Sequence, residues 1–595
     1  MNKTGQPADP PPPGVPIRKS PITKSEVVVT LENMGRILEI VGANPFKIRA
    51  LFNAAHELEA ISGNLEQMVE TGELLDVQGI GKSIFGYIKE MIQRGTFEEY
   101  ERLKEDVPPG LLQVMRIPGM GPKKVKAVYE ELNVKSVDDL EKVAKAGRIA
   151  ELEGFGEKSQ GKILKGIDSY RRYSKRHLLS TGIKAAQSVS DAVASHPDVL
   201  RFLLGGSIRR HKETIKDIDI LASAKKSNGI MELFTTLPEV ESVIAHGDTK
   251  SSVTLKSGIN ADLRVVSDAE FPFAALYFTG SKSHNTDMRA RAKKMGYKLN
   301  EYGLFRDEKS TPCKDEAAVF KKLGLDYIPP ELRESMGEIE AAEHHALPKL
   351  ISEEDVKGIL HVHTTYSDGG ATVEEMAKGA KKLGFEYLGI TDHSKSAAYA
   401  GGLSVEKVKA QAEEIAALNK SMTGFRIFHG IESDILADGS LDYDDDTLRT
   451  FDFVVASVHS IFNLSEAEMT DRIIRAIENP HTTILGHPTG RLLLQREGYR
   501  LNLNAVIDAC AERGVAIEIN AHPSRLDIDW RFARVARYKG AKILIGPDAH
   551  SVKGMAHYRY GVGVTRKGWL TADDVINTFD TKQMEAFFGS RAKVT

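Results

Sequence analysis

Apolar residues return every three to four positions from about Ser25 to about Arg176, the period of amphipathic helices. From about Ile183 the period shortens. "VLRFLLGGS", "DIDILAS", "SVTLKSG" and "NADLRVV" are short β-runs. A helical, turn-rich stretch follows to about Leu325. "YIPPELRESMGEIEAAEHHALPKL" then interrupts the pattern, with Pro329 and Pro330 as breakers of a linker arm. From about Ile351 to the end, strands and amphipathic helices alternate, as in "GILHVHTTYS", "VEEMAKGAKKLG" and "YLGITDHS". That alternation predicts an α/β layout, a barrel.

A turn signal repeats inside the helical third. Gly79-Ile80-Gly81, Gly119-Met120-Gly121 and Gly154-Phe155-Gly156 each follow an apolar helix end and open another helix. Alternate glycines allow a tight turn, and the free N–H groups of the next helix can then meet a phosphate. This is the helix-hairpin-helix device, which holds nucleic-acid backbone without reading bases. Lys82, Lys123, Lys124 and Lys158 lie just beyond the turns. A single copy would equally be an ordinary glycine helix stop. The recurrence favours DNA binding through Gly79, Gly81, Lys82, Gly119, Gly121 and Lys123. The third copy carries Glu157, and packing alone would account for it.

The run "GGSIRRHKETIKDIDIL" sets Asp217 and Asp219 on one face of a strand among apolar neighbours. Asp262, on another β-run, can join them. Three carboxylates at one spot repel unless divalent cations bind between them. Two Mg²⁺ ions about 3.5–4 Å apart can activate an attacking oxygen and stabilise a leaving phosphate oxygen. Gly206 and Ser207 offer donors upstream, and Arg210 offers a fork for triphosphate oxygens. The bland alternative is a surface loop with a salt-bridged Asp-x-Asp.

The last third carries histidine and acid at strand ends. His361 and His363 share a strand face, followed by Asp368, His393, Glu432, His459, His487, Asp548 and His550. Barrel strands converge at these ends, and imidazole with carboxylate suits Zn²⁺, Mn²⁺ or Fe²⁺. Nine ligands suffice for two or three metals. Each histidine alone would more readily be a satisfied structural residue.

At 595 residues the chain exceeds one core and implies several domains. A net charge of -3 means that nucleic-acid binding must use local basic patches. Cys313 and Cys510 form no disulfide framework, which fits a reducing compartment, and no apolar run is long enough to span a membrane. A cytoplasmic, nucleoid-associated location is expected.

"GGSIRRHKETIKDIDIL" and, in order after it, "ALYFTGSKSHNTDMRARAKKMGYKLNEYGLF" resemble the family X DNA polymerases. The nine-ligand series resembles the polymerase and histidinol phosphatase (PHP) domain. Together, from Ser25 onward, the chain resembles bacterial family X DNA polymerases. The resemblance implies a multidomain α and α/β chain. It comprises a disordered tail (1–24), a helical 8-kDa-like domain with the first hairpin (25–105) and a second and third hairpin region (106–180). A nucleotidyltransferase palm with a mixed sheet (181–274), a small thumb (275–328) and a linker (329–350) precede a distorted (βα)₇ PHP barrel (351–595). It implies Mg²⁺ or Mn²⁺ on Asp217, Asp219 and Asp262 in the palm, and two or three Zn²⁺ or Mn²⁺ ions in the barrel. By the same resemblance Asp262 helps deprotonate the primer 3′-hydroxyl, and Gly206, Ser207 and Arg210 grip the triphosphate. Tyr277, Phe278 and Gly280 border the sugar, Asn285 and Arg289 lie against the nascent pair and template, and Arg264 neighbours the acids.

Three departures stand out. Lys216 precedes Asp217 where many relatives carry glycine. Tyr87 stands where lyase-competent relatives place a Schiff-base lysine, with Lys47 and Lys82 as nearby substitutes, so strong lyase activity is not expected. Ile359 replaces a frequent acid, which predicts altered support of the metal ligands. Arg491 and Arg525 are candidates for phosphate binding or for structural ion pairs.

The implied function is gap filling in DNA repair by a monomer acting on gapped or primer-template DNA with deoxynucleoside triphosphates. A 3′→5′ exonuclease, with cleavage at abasic sites as an added capability, would reside in the barrel. The alternatives are a histidinol-phosphatase-like small-molecule phosphatase, and a DNA-binding scaffold with an inert palm.

Overall fold

The computed structural model describes residues 24–60, 65–77, 79–173 and 176–591. The tail expected over 1–24 falls outside these but for Lys24. Two compact units divide the chain between Ser174 and Lys175.

The first unit is helical. In Lys24–Val41 the buried residues Val27, Leu31, Met34 and Leu38 recur every three or four positions, and they pack on Leu51, Ala55 and Leu58 of Pro45–Ala60. Each large apolar side chain so buried stabilises the fold by about 1.5–3 kcal/mol. Short helices follow, and the glycine turns lead into Lys82–Arg94, Pro122–Leu132 and Glu157–Tyr173.

The second unit begins with a five-stranded mixed sheet. In spatial order its strands are Val199–Leu204, Asp217–Ala224, Asn260–Val266, Lys250–Leu255 and Val240–His246. Alternation sorts the faces. Ile218, Ile220 and Ala222 point to the core under helices Leu179–Ala194 and Asn228–Thr236, whereas Leu221 packs on Phe271 and Ala274 of helix Phe271–Thr279. Asp217 and Asp219 share parity with Leu221 and lie on that second face.

A smaller body follows, with helix Lys282–Lys294, a three-stranded antiparallel sheet and helix Glu316–Lys322. The segment expected as a linker arm folds onto it: Leu332 and Ala342 join the core of Phe273, Met288 and Phe320. Arg333 is fully buried and pairs with Glu316 at 2.5 Å. Arg209 shares that carboxylate at 2.8 Å, which fixes the loop after strand Val199–Leu204 to this body. Burial opposes charge on Glu316, yet Arg333 and Arg209 outweigh it and hold its carboxyl at about 2.

The remainder is a seven-stranded parallel barrel whose strands run in consecutive order. They are Gly358–Ile359, Tyr387–Ile390, Arg426–Asp434, Phe453–Ser457, Ile484–Leu485, Ala516–Asn520 and Ile543–Gly546. A parallel bridge between Val362 and Ala549 joins the first and last strands near their C-terminal ends. Tyr387, Phe428, Phe453 and Leu544 fill the lumen floor, plugged by Met584 and Phe588 of helix Thr581–Arg591. Phe588 stacks on Phe453 with ring centroids 4.9 Å apart. The apolar floor closes the lumen at one end, and the C-terminal strand ends open at the other.

Candidate active sites

In the helical unit, Gly79 and Gly119 stand at φ of +86° and +91°, which glycine adopts without strain. Ile80 and Met120 are buried beneath the turns. Gly81 and Gly121 cap the next helices without a side-chain hydrogen bond, so their first amides stay open beside exposed Lys82 and Lys123. In the third turn Phe155 lies under Lys124 at 5.3 Å and Gln160 accepts from the Ala150 amide at 3.1 Å, contacts of a packing turn. Near the first hairpin, Tyr87 donates to Glu99, and Lys47 Nζ sits 2.5 Å from the same carboxylate. Burial favours a neutral amine, but the Glu99 hydrogen bond prevails and raises the Lys47 pKa. A lysine held protonated cannot attack a carbonyl.

In the palm, Asp219 and Asp262 face each other across two paired parallel strands, with Asp217 two residues before Asp219. The Asp219 carboxyl is pushed up to about 6, first by burial and then by Asp217 and Asp262; Arg210 and Arg264 pull the other way. Among the described residues, the three carboxylates do not bring one oxygen each within 4.8 Å of the others. Lys250 pairs with Asp262 at 2.8 Å. The donor set, all carboxylate oxygen, fits hard divalent cations.

A cavity of about 630 Å³ opens over Asp217 and Asp219. Gly206, Ser207, Arg210, Tyr277, Phe278, Gly280, Asn285 and Arg289 all line it, and Asp262 does not. Gly206 has φ of +58°, and a Cβ there would fall 1.9 Å from Asp219 Oδ2, so only glycine lets the loop lie on the acid. Asn285 donates to the Tyr277 carbonyl at 2.7 Å, tying helix Lys282–Lys294 to the Tyr277-Phe278 corner, and Arg264 lies 4.5 Å over the Phe278 ring. Lys216 is exposed on the cavity wall. Arg176, Lys212 and Lys282, none of them expected, add to the cationic wall. A concave site with that charge concentrates polyphosphate.

At the barrel mouth the structure brings all nine expected ligands together in four overlapping groups, with donor atoms within 4.8 Å of one another. Glu432 is central. Its oxygens lie 3.0 Å from His393 and His487, 3.3 Å from His459 and 3.4 Å from His361. Asp548 reaches His363 at 3.3 Å, and Asp368 reaches His550 at 3.3 Å. Nε2 of His361, both nitrogens of His363 and Nδ1 of His393 are buried without a hydrogen-bond partner. Such atoms are costly unless a cation takes their lone pairs, so the site fits metal ions. Protonation follows the acids. Burial opposes charge on His459, yet Glu432 and Asp434 push it up to about 10, whereas burial and His550 hold His363 at about 4. His361 and Asp548 sit at φ of +68° and +50°, strained conformations worth about 1–3 kcal/mol each that aim both side chains inward.

The supports of these ligands escaped the sequence reading. Glu518 is fully buried on strand Ala516–Asn520; Oε1 meets His361 Nδ1 at 2.5 Å and Oε2 accepts from the His487 amide at 2.6 Å. Asn520 donates to Asp548 at 3.0 Å, and Asp434 meets His459 Nδ1 at 2.7 Å. The signal was present: in "AIEIN" Glu518 and Asn520 alternate with isoleucines, as lumen-facing residues do. Ile359 is fully buried, and the support for His361 comes from Glu518 instead. Arg491 is structural, meeting Glu213 at 2.5 Å and Asp529 at 3.5 Å, whereas Arg525 lies 3.6 Å from Asp548 at the rim.

Comparison with known proteins agrees with this division. Residues 274–334 match the model of the DNA polymerase beta thumb, 360–522 the PHP domain, 22–97 a helix-hairpin-helix domain and 111–168 a SAM-like helix-hairpin-helix tandem. The DNA polymerase/3'-5' exonuclease PolX of Bacillus subtilis (strain 168) is 37% identical over 570 residues, covering 95% of this chain and 99% of that protein. A probable phosphatase of Thermoanaerobacter sp. (strain X514) is 30% identical over 242 residues, 38% of this chain and 91% of that protein. A probable phosphatase of Acetivibrio thermocellus is 32% identical over 212 residues, 33% of this chain and 80% of that protein.

Proposed function

Because the chain belongs to the PolX family of DNA polymerases with a C-terminal PHP domain, we propose that its palm adds nucleotides to a primer end and its barrel removes them. It is a DNA-directed DNA polymerase with 3′→5′ exonuclease activity. The observation that carries this reading is the pairing of the acid-floored, cation-walled cavity with the nine-ligand mouth, on a chain aligned to PolX over 95% of its length. The phosphatase relatives match only 38% and 33% of this chain, whereas PolX matches 95%.

In the palm, Gly206, Ser207 and Arg210 receive the triphosphate, and Tyr277, Phe278 and Gly280 border the sugar. Asn285 and Arg289 face the new pair. Asp217, Asp219 and Asp262 hold the ions, with Asp262 placed to take the primer 3′-hydroxyl proton once it leaves Lys250. Carboxylate-only donors favour Mg²⁺ or Mn²⁺ there, and the imidazole-rich mouth favours two or three Zn²⁺ or Mn²⁺ ions. Bound ions supply Lewis acidity toward phosphoryl oxygens at both sites. At the barrel, Glu518 and Asp434 orient His361 and His459, and Arg525 offers a cation to a phosphodiester. Gly79, Gly81, Lys82, Gly119, Gly121 and Lys123 hold the DNA backbone. We assign the palm to 181–274, the thumb to 275–328 and the barrel to 351–595, since the five-stranded sheet ends at Val266 and the seven-stranded one begins at Gly358. The enzyme acts as a monomer on gapped DNA.

A gapped duplex with a mismatched 3′ end tests this. The expected result is removal of the mismatch followed by filling of the gap, with little phosphate released from histidinol phosphate. Rapid phosphomonoester hydrolysis without nucleotide release would instead favour a small-molecule phosphatase.

A further inference from the structure

Lys567 is the last residue of helix Tyr558–Lys567 in the barrel, and it is 1% exposed. Its ammonium is held by the loop that carries Arg210 and by the segment after Pro329. Nζ donates to the Arg210 carbonyl at 3.1 Å, to the Glu331 carbonyl at 3.2 Å and to Glu334 Oε1 at 2.6 Å. Glu334 Oε1 in turn accepts from Arg210 Nε at 3.1 Å, while Arg210 Nη1 donates to the Thr279 carbonyl. The buried ammonium therefore grips both the backbone of Arg210 and the carboxylate that orients its guanidinium. Among the described residues no hydrogen bond engages Arg210 Nη2, and Arg210 lines the palm cavity.

We propose that Lys567, a barrel residue, is a positioning residue for nucleotide incorporation, holding Arg210 through Glu334 in the orientation that receives the triphosphate. This rests on the reading of the palm as a polymerase site. A buried lysine is rare unless paired, and removal of this one would leave Glu334 to Arg210 and to Lys212, 3.8 Å away. Arg210 would then be drawn toward Glu334 and away from the incoming phosphates. The groups facing the ammonium are Arg210, His211 and Lys212 from the palm loop, Glu331 and Glu334 from the preceding segment, and Arg566 beside it, with Trp530 at 5.0 Å. Burial lowers the Lys567 amine to about 8, against the pull of Glu334. Its charge, and the hold on Glu334, are thus present below that pH and lost above it.

The test measures incorporation on a one-nucleotide gap in full-length Lys567→Met, Arg210→Ala and the double variant. Lys567→Met is expected to raise KM for the deoxynucleoside triphosphate about tenfold, the effect of loosening one charge-assisted hydrogen bond, with kcat nearly unchanged. KM for gapped DNA and 3′→5′ exonuclease activity should not move. In the Arg210→Ala background the same change should add nothing. Wild-type KM for the nucleotide should rise above about pH 8, and that inflection should be missing in Lys567→Met. An unchanged KM, or full additivity with Arg210→Ala, would overturn the proposal. If Lys567→Met does not fold, Glu334→Gln removes the carboxylate that orients Arg210: KM for the nucleotide should rise there too, with no further rise in the Arg210→Ala background, and an unchanged KM or full additivity would overturn the proposal. Asp219→Ala run alongside separates the two failures, because incorporation by that variant would sink the polymerase reading itself.

Discussion

Six imidazoles and three carboxylates meet at the barrel mouth, whereas the palm sets three carboxylates against a wall of lysine and arginine. In the barrel the acids are balanced from within. Glu432 touches five histidines, and strained His361 and Asp548 lock the donors in place before any substrate arrives. In the palm the acids stay apart, Asp262 rests on Lys250, and Asp219 is raised to about 6. A triphosphate and a primer end would add oxygens beside the palm acids. On this reading folding assembles one centre, and its substrate would complete the other. A nuclease can be built the first way because any phosphodiester will serve. A polymerase would gain selectivity from the second, since a site of that kind would hold ions fully only beside a nucleotide.

The largest effect expected is a crossed loss. Asp219→Ala should lower incorporation by about a thousandfold or more, the several kcal/mol supplied by ion-assisted charge stabilisation, and leave mismatch removal intact. His361→Ala should do the reverse in the same gapped-duplex assay. A shared loss in either variant would break the separation of the centres. Glu518→Gln sharpens the barrel side. It keeps the shape but weakens the hold on His361, so metal affinity measured by chelator competition should fall about 10–100-fold with incorporation unchanged. On the DNA-holding side, Lys82→Ala and Lys123→Ala should each reduce the salt slope of DNA binding by about one, without altering sequence preference. The smallest expected effect is none at all. Borohydride should trap no covalent adduct with a 5′-deoxyribose phosphate end, because Glu99 keeps Lys47 charged and Tyr87 offers only a phenol. A trapped adduct lost in Lys47→Ala would contradict that assignment.

The same contrast governs what could be read in advance. The nine barrel ligands lie at strand ends, a position that periodicity marks, and Asp217 and Asp219 share a strand face by simple alternation. The arrangement of a strand and its end is local, so the sequence carries it. Glu518 was missed although its alternation with Ile517 and Ile519 pointed to the lumen, because a single acid in an apolar strand resembles noise. Lys567 and Glu334 lie 233 positions apart and have no periodic relation, so nothing local joins them. Arg209 and Arg210 are neighbours with the same chemistry, yet Glu316 claims the first and Glu334 the second; only packing decides. The segment after Pro329 read as a connecting arm because its polar residues hide the burial of Arg333 and Glu338.

Ion uptake tests the difference between the centres most directly. Mn²⁺ binding would be followed by electron paramagnetic resonance on the full chain, with and without gapped DNA and a nonreactive nucleotide triphosphate. The account predicts tight ions before substrate is added, lost in His361→Ala, and further ions only with the nucleotide, lost in Asp219→Ala. Tight substrate-free ions that disappear in Asp219→Ala and persist in His361→Ala would contradict it.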